Sequence, residues 1–588
     1  MLQVEKLSKS YSGNLLFENV SFTLQRREKC ALVGRNGSGK TTLFKILKGE
    51  ESPDEGRVIL PKGYRLGFLD QHTHFKAPTV LEEAMRDLPD TKPQHEVESV
   101  LFGLGFDEAL LDASPEILSG GYHLRLKLAK VLCLEPDCLL LDEPTNYLDI
   151  LSLRWLEKHL KNWKGECLLI SHDRDFLNNL VGYTMGIHRK GLKRVAGGLE
   201  KFYEKIVEEE EIHEKTRLSL DKKKEHLEAY ISRFGAKASK ATQAKSKEKA
   251  LNKLPSLAKL AALDDLSFRF HYTPFSGKKV ATLTNVSFCY KENAPLIQDF
   301  SLEIEKGKRI AIIGKNGMGK STLLKLIGGE IPPQEGLYSR SDQAKIGIFG
   351  QTHISHLDSN QTIEEEISSA NPYLPYTQVR AICGQMMFSQ DTAKKKISVL
   401  SGGEKSRVLL GKILATPTNF LLLDEPTHHL DLESIEALME AIDLYEGTIV
   451  LVTHSEWMLE RLNPDLLVVF KDNKQHLFLG NYLEFLEKEG WEDSPKKEKV
   501  EKNLPPPKNI DTSQKELKSL QKEISLIEAK IETLETKKKQ IDAELVEACA
   551  KRLSLKIAEL SPISSHLQQE IEKLYASLDT LYQNLGRT

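Results

Sequence analysis

Seven cysteines are scattered through 588 residues, with no CxxC pair and no clustered histidine partners. That excludes an iron–sulfur or zinc framework of the usual spacing and fits the reduced thiols of a cytosolic protein. No run of about 18 apolar residues occurs, so no segment is expected to cross a bilayer. The opening Met1-Leu2-Gln3-Val4-Glu5-Lys6 does not read as a signal peptide, and a soluble, cytoplasmic chain is expected. An excess of one charge is missing too. Charged residues make up 28% of the chain, yet the formal net charge is only −3. A polycation is excluded, and any nucleic-acid contact must come from a local patch. The 40% hydrophobic content is ordinary, and the length suits about three to five domains, each with its own core.

What is present occurs twice. The loop Gly34-Arg35-Asn36-Gly37-Ser38-Gly39-Lys40-Thr41-Thr42 returns as Gly314-Lys315-Asn316-Gly317-Met318-Gly319-Lys320-Ser321-Thr322. Gln71 returns as Gln351, Leu118-Ser119-Gly120-Gly121 as Leu400-Ser401-Gly402-Gly403, Asp142-Glu143 as Asp424-Glu425, and His172 as His454. The shift is 280 for the first two pairs and 282 for the rest. One nucleotide-binding unit has been duplicated in tandem. The short apolar runs Ala31-Leu32-Val33, Cys138–Leu141 and Cys167–Ile170, repeated in the second half, predict central parallel strands covered by helices on both faces. The fold class is therefore α/β.

Each repeated residue suits phosphate chemistry. Glycines let a backbone approach phosphates and present N–H groups at a helix start. Lys40 and Lys320 reach the outer phosphates, and the Thr41 and Ser321 hydroxyls are candidate Mg²⁺ ligands. Asp142 and Asp424 end apolar strands where a carboxylate holds the metal through water, and Glu143 and Glu425 follow, placed to polarise an attacking water. Gln71 and Gln351 are candidates to ligate the metal and sense the γ-phosphate, His172 and His454 to contact it, and Tyr11 and Tyr290 to stack on adenine. Taken singly, the last three pairs read equally well as loop or packing residues; the whole set carries them.

The order of glycine loop, Gln, Leu-Ser-Gly-Gly, Asp-Glu-Pro-Thr and His resembles the ATP-binding-cassette ATPases over nearly all of residues 1–200 and 278–490. The resemblance implies ATP and Mg²⁺ as ligands and head-to-tail docking of the two cassettes within one chain, a monomer. Site one then joins Lys40, Thr41, Gln71, Asp142, Glu143 and His172 to Ser401, Gly402 and Gly403. Site two joins Lys320, Ser321, Gln351, Asp424, Glu425 and His454 to Ser119, Gly120 and Gly121. Tandem cassettes with complete catalytic sets, the stretches 142–149 and 424–431, and Arg233–Ala244 are similar to the ABC-F family of translation factors. Several positions depart from that family's pattern. They are Tyr147, His428, Tyr122-His123 after the first Leu-Ser-Gly-Gly, and Ser455-Glu456 where Asp173-Arg174 keep the usual pair. The departures at Tyr122-His123 and Ser455-Glu456 both fall in site two, which predicts unequal turnover.

Residues 201–277 read as a helical linker with a break near Phe234-Gly235. Between 231 and 260 it holds eight Lys or Arg against the single acid Glu248. Such a stretch at the tip of a hairpin suits phosphate backbones, with Arg233, Lys237, Lys240 and Lys245 as candidate RNA contacts; a solvated helix face is the plainer reading. The resemblance implies a ribosome partner, with action at the tRNA exit region on tRNA or the peptidyl-transferase centre, in stall relief or antibiotic protection. Two other readings are an ATPase subunit of a membrane transporter and a DNA-associated ATPase. A transport subunit needs no basic linker. Residues 511–588, where heptads predict an antiparallel coiled-coil hairpin, carry twelve Lys or Arg against thirteen Asp or Glu, without the basic excess DNA wants. Residues 491–510 form a Lys- and Pro-rich linker before it.

Overall fold

Strands that are apolar at every position need cover on both faces, and the molecule supplies it. A computed structural model describes residues 1–11, 14–69, 75–89, 91–234, 266–290, 295–427, 430–471 and 474–491, with single positions at 534, 537 and 567. Residues 1–494 form one unit and Pro495–Thr588 a second. The expected coiled coil lies in that second unit, outside the described residues.

In the first cassette β1 (Gln3–Tyr11), β2 (Asn14–Thr23) and β4 (Glu55–Ile59) make an antiparallel sheet ordered β2-β1-β4. The main sheet holds β3 (Lys29–Val33), β5 (Leu66–Phe68), β6 (Cys138–Asp142), β7 (Glu166–Ile170), β8 (Tyr183–His188) and β9 (Gly191–Ala196) in the order β5-β6-β7-β3-β8-β9. All are parallel except β9. β7 is buried at all five positions, as the apolar run Cys167–Ile170 requires. The second cassette repeats both sheets. β10 (Lys279–Cys289), β11 (Pro295–Glu305) and β13 (Glu335–Arg340) are ordered β11-β10-β13. β12 (Arg309–Gly314), β14 (Ile346–Phe349), β15 (Phe420–Asp424), β16 (Thr448–Val452), β17 (Leu466–Lys471) and β18 (Lys474–Leu479) are ordered β14-β15-β16-β12-β17-β18. In each cassette the glycine loop leaves a central strand at its C-terminal end, where open parallel sheets bind ligands.

The segment expected to be a helical linker divides into different structures. Leu199–Phe234 is one helix of 36 residues, about 54 Å at 1.5 Å per residue. Leu199, Phe202 and Ile206 bury it in the first cassette's core, and Val207, Ile212 and Leu218 beyond are exposed. Residues 266–277 are not linker helix. Leu266, Phe268 and Phe270 are buried in the second cassette's core, and Tyr272 pairs with Thr418. Apolar residues at every second position from 266 to 272 carry the period of a strand, not a helix, and that pattern decides the structure.

Candidate functional site

The two glycine loops have one geometry. The first helix of each cassette starts at Lys40 or Lys320, behind Gly39 at φ 96° and Gly319 at φ 98°. A left-handed backbone at that turn favours glycine. A side chain on Gly39 would also lie 3.0 Å from the Phe17 ring. Neither helix has an acidic residue in its first turn, so its N–H groups and dipole stay available to an anion. Lys40 Nζ donates to the carbonyls of Gly34 (2.6 Å) and Arg35 (3.1 Å). Lys320 Nζ donates to those of Gly314 (2.9 Å) and Lys315 (2.8 Å). Burial pushes the Lys40 ammonium down, and Lys320 to about 8.

The carboxylates come from the next strand but one. β6 delivers Asp142, whose Oδ2 accepts from Thr41 Oγ1 at 3.2 Å. β15 delivers Asp424, whose Oδ1 accepts from Ser321 Oγ at 3.1 Å. Glu143 and Glu425 take positive φ, 49° and 44°, while Glu143 N donates to Ile170 O and Glu425 N to Val452 O. A glutamate with positive φ is uncommon and strained, and finding it at both pseudo-equivalent positions ties the strain to placement of the carboxylate. Burial first, then the neighbouring Asp142, pushes Glu143 up to about 8; burial first also raises Glu425 to about 8. Their Oε1 atoms are buried without hydrogen-bond partners. His172 and His454 lie against them, with Nε2 3.3 Å and 3.2 Å from Oε1. Burial lowers His172 to about 4, so the imidazole in this contact is neutral near pH 7. A paired hydroxyl and carboxylate beside a phosphate-ready loop, with a buried carboxyl atom lacking a donor, fits a nucleotide, Mg²⁺ and one water.

Tyr11, Lys40, Thr41, Thr42, Asp142, Glu143 and His172 line one cavity of about 410 Å³ in the first cassette. Tyr290 is 63% exposed, just past β10. Gln71 lies outside the described residues, as does His428. Gln351 opens a short helix, Gln351–Ser355. Ser119 and Ser401 are the N-caps of Gly120–Cys133 and Gly402–Leu414. Only the second forms a capping box, with the Glu404 carboxylate accepting from Ser401 N at 2.8 Å. In the first, Tyr122 stands in place of Glu404 and its hydroxyl donates to Gly105 O at 3.2 Å.

The cassettes meet through residues to which the sequence motifs gave no role. Asp431 caps its own helix through Oδ1, accepting from Ser434 N at 3.0 Å. Its Oδ2 accepts from Asn36 N of the other cassette's glycine loop at 3.1 Å. Asp149 repeats this with Ser152 N (2.9 Å) and Asn316 N (3.3 Å). Asn316 Nδ2 also donates to Tyr147 O at 2.8 Å, and Arg35 pairs with Glu433 at 2.8 Å. Leu432 enters the first cassette's core and Ile150 the second's. Lys315–Met318, Asp149 and Tyr122 line a shared cavity of about 540 Å³, so glycine loop two faces the helix that follows the first Leu-Ser-Gly-Gly. The recurrence of Asp149 and Asp431 at the 282-residue shift was the signal available in the sequence.

Comparison with known proteins matches this geometry. The ABC transporter family profile fits residues 17–146 and 297–428, and an extension profile with the same description fits 185–270. The probable ATP-binding protein YheS of Escherichia coli (strain K12) is 32% identical over 540 residues, 85% of this chain and 83% of that one. Mouse ATP-binding cassette sub-family F member 3 is 31% identical over 503 residues, 79% of this chain and 71% of its own. The chain belongs to the ABC-F family. It is an ATPase of tandem cassettes. Among solved structures, an archaeal ribosome recycling factor, crystallised with a ribosomal stalk protein, matches with TM-score 0.54 at 20% identity, over 81% of this chain and 90% of its own. At that identity the likeness is one of fold. Among the described residues no helix of this ABC-F ATPase is long and apolar enough to cross a membrane. Arg233 lies on the last turn of the 36-residue helix; Lys237, Lys240 and Lys245 lie outside the described residues.

Proposed function

We propose that this ABC-F ATPase acts on the ribosome, closing its cassettes on two ATPs and using the linker to reach RNA at the tRNA exit region. Action there on tRNA or the peptidyl-transferase centre serves stall relief or antibiotic protection. The observation that carries the proposal is the linker helix. It is anchored by Leu199, Phe202 and Ile206, then continues for 28 residues to Phe234, about 42 Å, and the chain rejoins a core at Leu266. Of the eight basic residues of 231–260, Arg233 is on the helix's last turn and the other seven follow it in the sequence, a charge excess suited to phosphate backbones. A transporter subunit has no use for such an arm. The likeness to a ribosome recycling factor supports the same setting.

In this reading Lys40 and Lys320 bind the outer phosphates, while Thr41, Asp142, Ser321 and Asp424 hold Mg²⁺, which neutralises phosphate charge when bound. Glu143 and Glu425 polarise water, and Asp149 and Asp431 report closure to the opposite glycine loop. The test is co-sedimentation with ribosomes of the Glu143→Gln/Glu425→Gln double variant in ATP. Gln keeps the shape and loses the base, so the variant should pellet with ribosomes while the wild type is released on hydrolysis. A variant that stays in the supernatant in ATP would overturn the ribosomal assignment.

A further inference from the structure

A cavity of the first cassette lies at the opposite end of its main sheet from the glycine loop. It measures about 1120 Å³ and sits in the first cassette at the N-terminal ends of β6 and β7, where Cys138 and Glu166 begin their strands. Its wall is an aromatic ladder on the helix Ile150–Lys161 and the turn after it. Trp155 stacks on His159 at 4.8 Å, and His159 lies 6.0 Å from Trp163. Trp163 Nε1 is buried and has no acceptor.

The same place in the second cassette is filled. The 282-residue shift maps Pro136 and Trp163, both in the cavity lining, onto Thr418 and Tyr445. Those two residues hold the extended segment 266–273. Thr273 N donates to Thr418 O at 2.9 Å and Thr418 N to His271 O at 2.8 Å. The rings of Phe270 and Tyr272 meet Tyr445 edge-on at 5.9 and 6.1 Å. The molecule thus shows how this groove is covered: one strand-like segment, aromatic at alternate positions, bonded to a residue two positions before the strand.

Charge at the rim narrows the occupant. Lys92 is paired with Glu96 and Glu135, and Glu166 takes the N-terminal ammonium. Asp137 accepts from Arg65 N at 2.9 Å. With Arg26, Lys92, Lys158, Lys164 and the N-terminal ammonium against Glu96, Glu135, Asp137 and Glu166, the lining has an excess of one cation. Lys158 and Lys164 lie together on the aromatic wall, away from those acid pairs. Pro136 has no N–H, so an occupant here loses one of the two backbone bonds seen at Thr418.

We propose that this groove is a docking site for an extended, acidic peptide segment of a partner protein, with aromatic side chains at alternate positions. Such a segment adds main-chain bonds at a sheet end and places alternate side chains in pockets, while Lys158 and Lys164 meet its acids.

The test uses the full chain and two fluorescein-labelled nonapeptides. One has the sequence of residues 266–274, and the other carries Glu at the positions of Arg269 and His271. Anisotropy should show saturable binding of the acidic peptide, at least about tenfold tighter than the unchanged one, with quenched Trp fluorescence. Lys158→Glu/Lys164→Glu should remove that preference without changing ATPase activity, since both side chains are distant from the glycine loops. Absence of saturable binding by either peptide overturns the proposal. So does binding of the acidic peptide that ignores the double reversal.

Discussion

At the scale of single residues, the paired glutamates make the sharpest expectations. Glu143 and Glu425 are pushed to about 8, against about 4.3 for an unfolded glutamate. A carboxyl raised by folding contributes stability that is complete below the unfolded value and is lost as pH rises through the folded one. The nucleotide-free protein should therefore lose thermal stability as pH rises toward about 8, measurably between roughly pH 6.5 and pH 8, and the Glu143→Gln/Glu425→Gln variant should lose less. His172, held at about 4, acts in the opposite sense, its contribution being lost as pH falls below about 6.5, and Lys320, lowered to about 8, acts above that value, so the difference between the two proteins is what reports the glutamates. Equal pH slopes for both proteins would contradict the assigned burial. In turnover, the double variant should fall by about 10²-fold or more, the worth of a positioned base, and wild-type hydrolysis by it would remove the role. The expected inequality of the sites now has a narrower basis. Ser455 caps its helix, accepting from Met458 N, as Asp173 does from Phe176 N, and Glu456 has a structural use of its own. Only Tyr122, where Glu404 makes a capping box, still distinguishes site two. Glu143→Gln alone should depress single-turnover hydrolysis more than Glu425→Gln alone; equal losses would remove the asymmetry.

At the scale of elements, the cassettes were legible because their signals are local and doubled. The unbroken apolar runs form covered strands, and the glycines before Lys40-Thr41 and Lys320-Ser321 open a helix. The segment 266–277 was not legible by the same route. Its alternation of Leu266, Phe268, Phe270 and Tyr272 spans few residues, and the polar helix before it suggested a continuation. The alternation carries a strand's period, and packing against Thr418 and Tyr445, far along the chain, fixes where the segment lies. Phe270 is buried against Tyr445, so Phe270→Ala should cost about 3–5 kcal/mol in denaturant unfolding; a loss under about 1 kcal/mol would place the segment outside the core. The basic part of the linker makes a different kind of claim. Replacing Arg233, Lys237, Lys240 and Lys245 with Ala should weaken ribosome binding and reduce the salt slope by about one for each phosphate no longer neutralised. Basal ATPase activity should persist. Unchanged affinity across a salt series would return these residues to a solvated helix face.

At the scale of the whole molecule, duplication poses a problem of choice: two similar cassettes offer similar faces, and the right pairing is one with two. The interface contains a charge pattern that separates the cases. Arg154 pairs with Glu456 at 2.7 Å, and Arg174 with Glu436 at 2.6 Å. The 282-residue shift maps Arg154 onto Glu436 and Arg174 onto Glu456, so these are one contact made twice across the pseudo-twofold. Both cations come from the first cassette and both anions from the second. Pairing two first cassettes would set Arg154 against Arg174, and pairing two second cassettes would set Glu436 against Glu456. Like charges facing each other suppress wrong partners more than opposite charges strengthen right ones. Glu456, which departs from its family's usual Arg, is thus the half of this pattern that the second cassette must supply. All four side chains are a quarter to a third exposed, so each pair should be worth only about 0.5–1 kcal/mol, while a reversal adds repulsion to the loss. Arg154→Glu/Arg174→Glu should lower the thermal midpoint and reduce ATPase activity, since both sites need the interface. Adding Glu436→Arg/Glu456→Arg to the same chain should restore both, and more completely at low salt than at high. A quadruple variant as impaired as the double would show that these charges do not choose the partner.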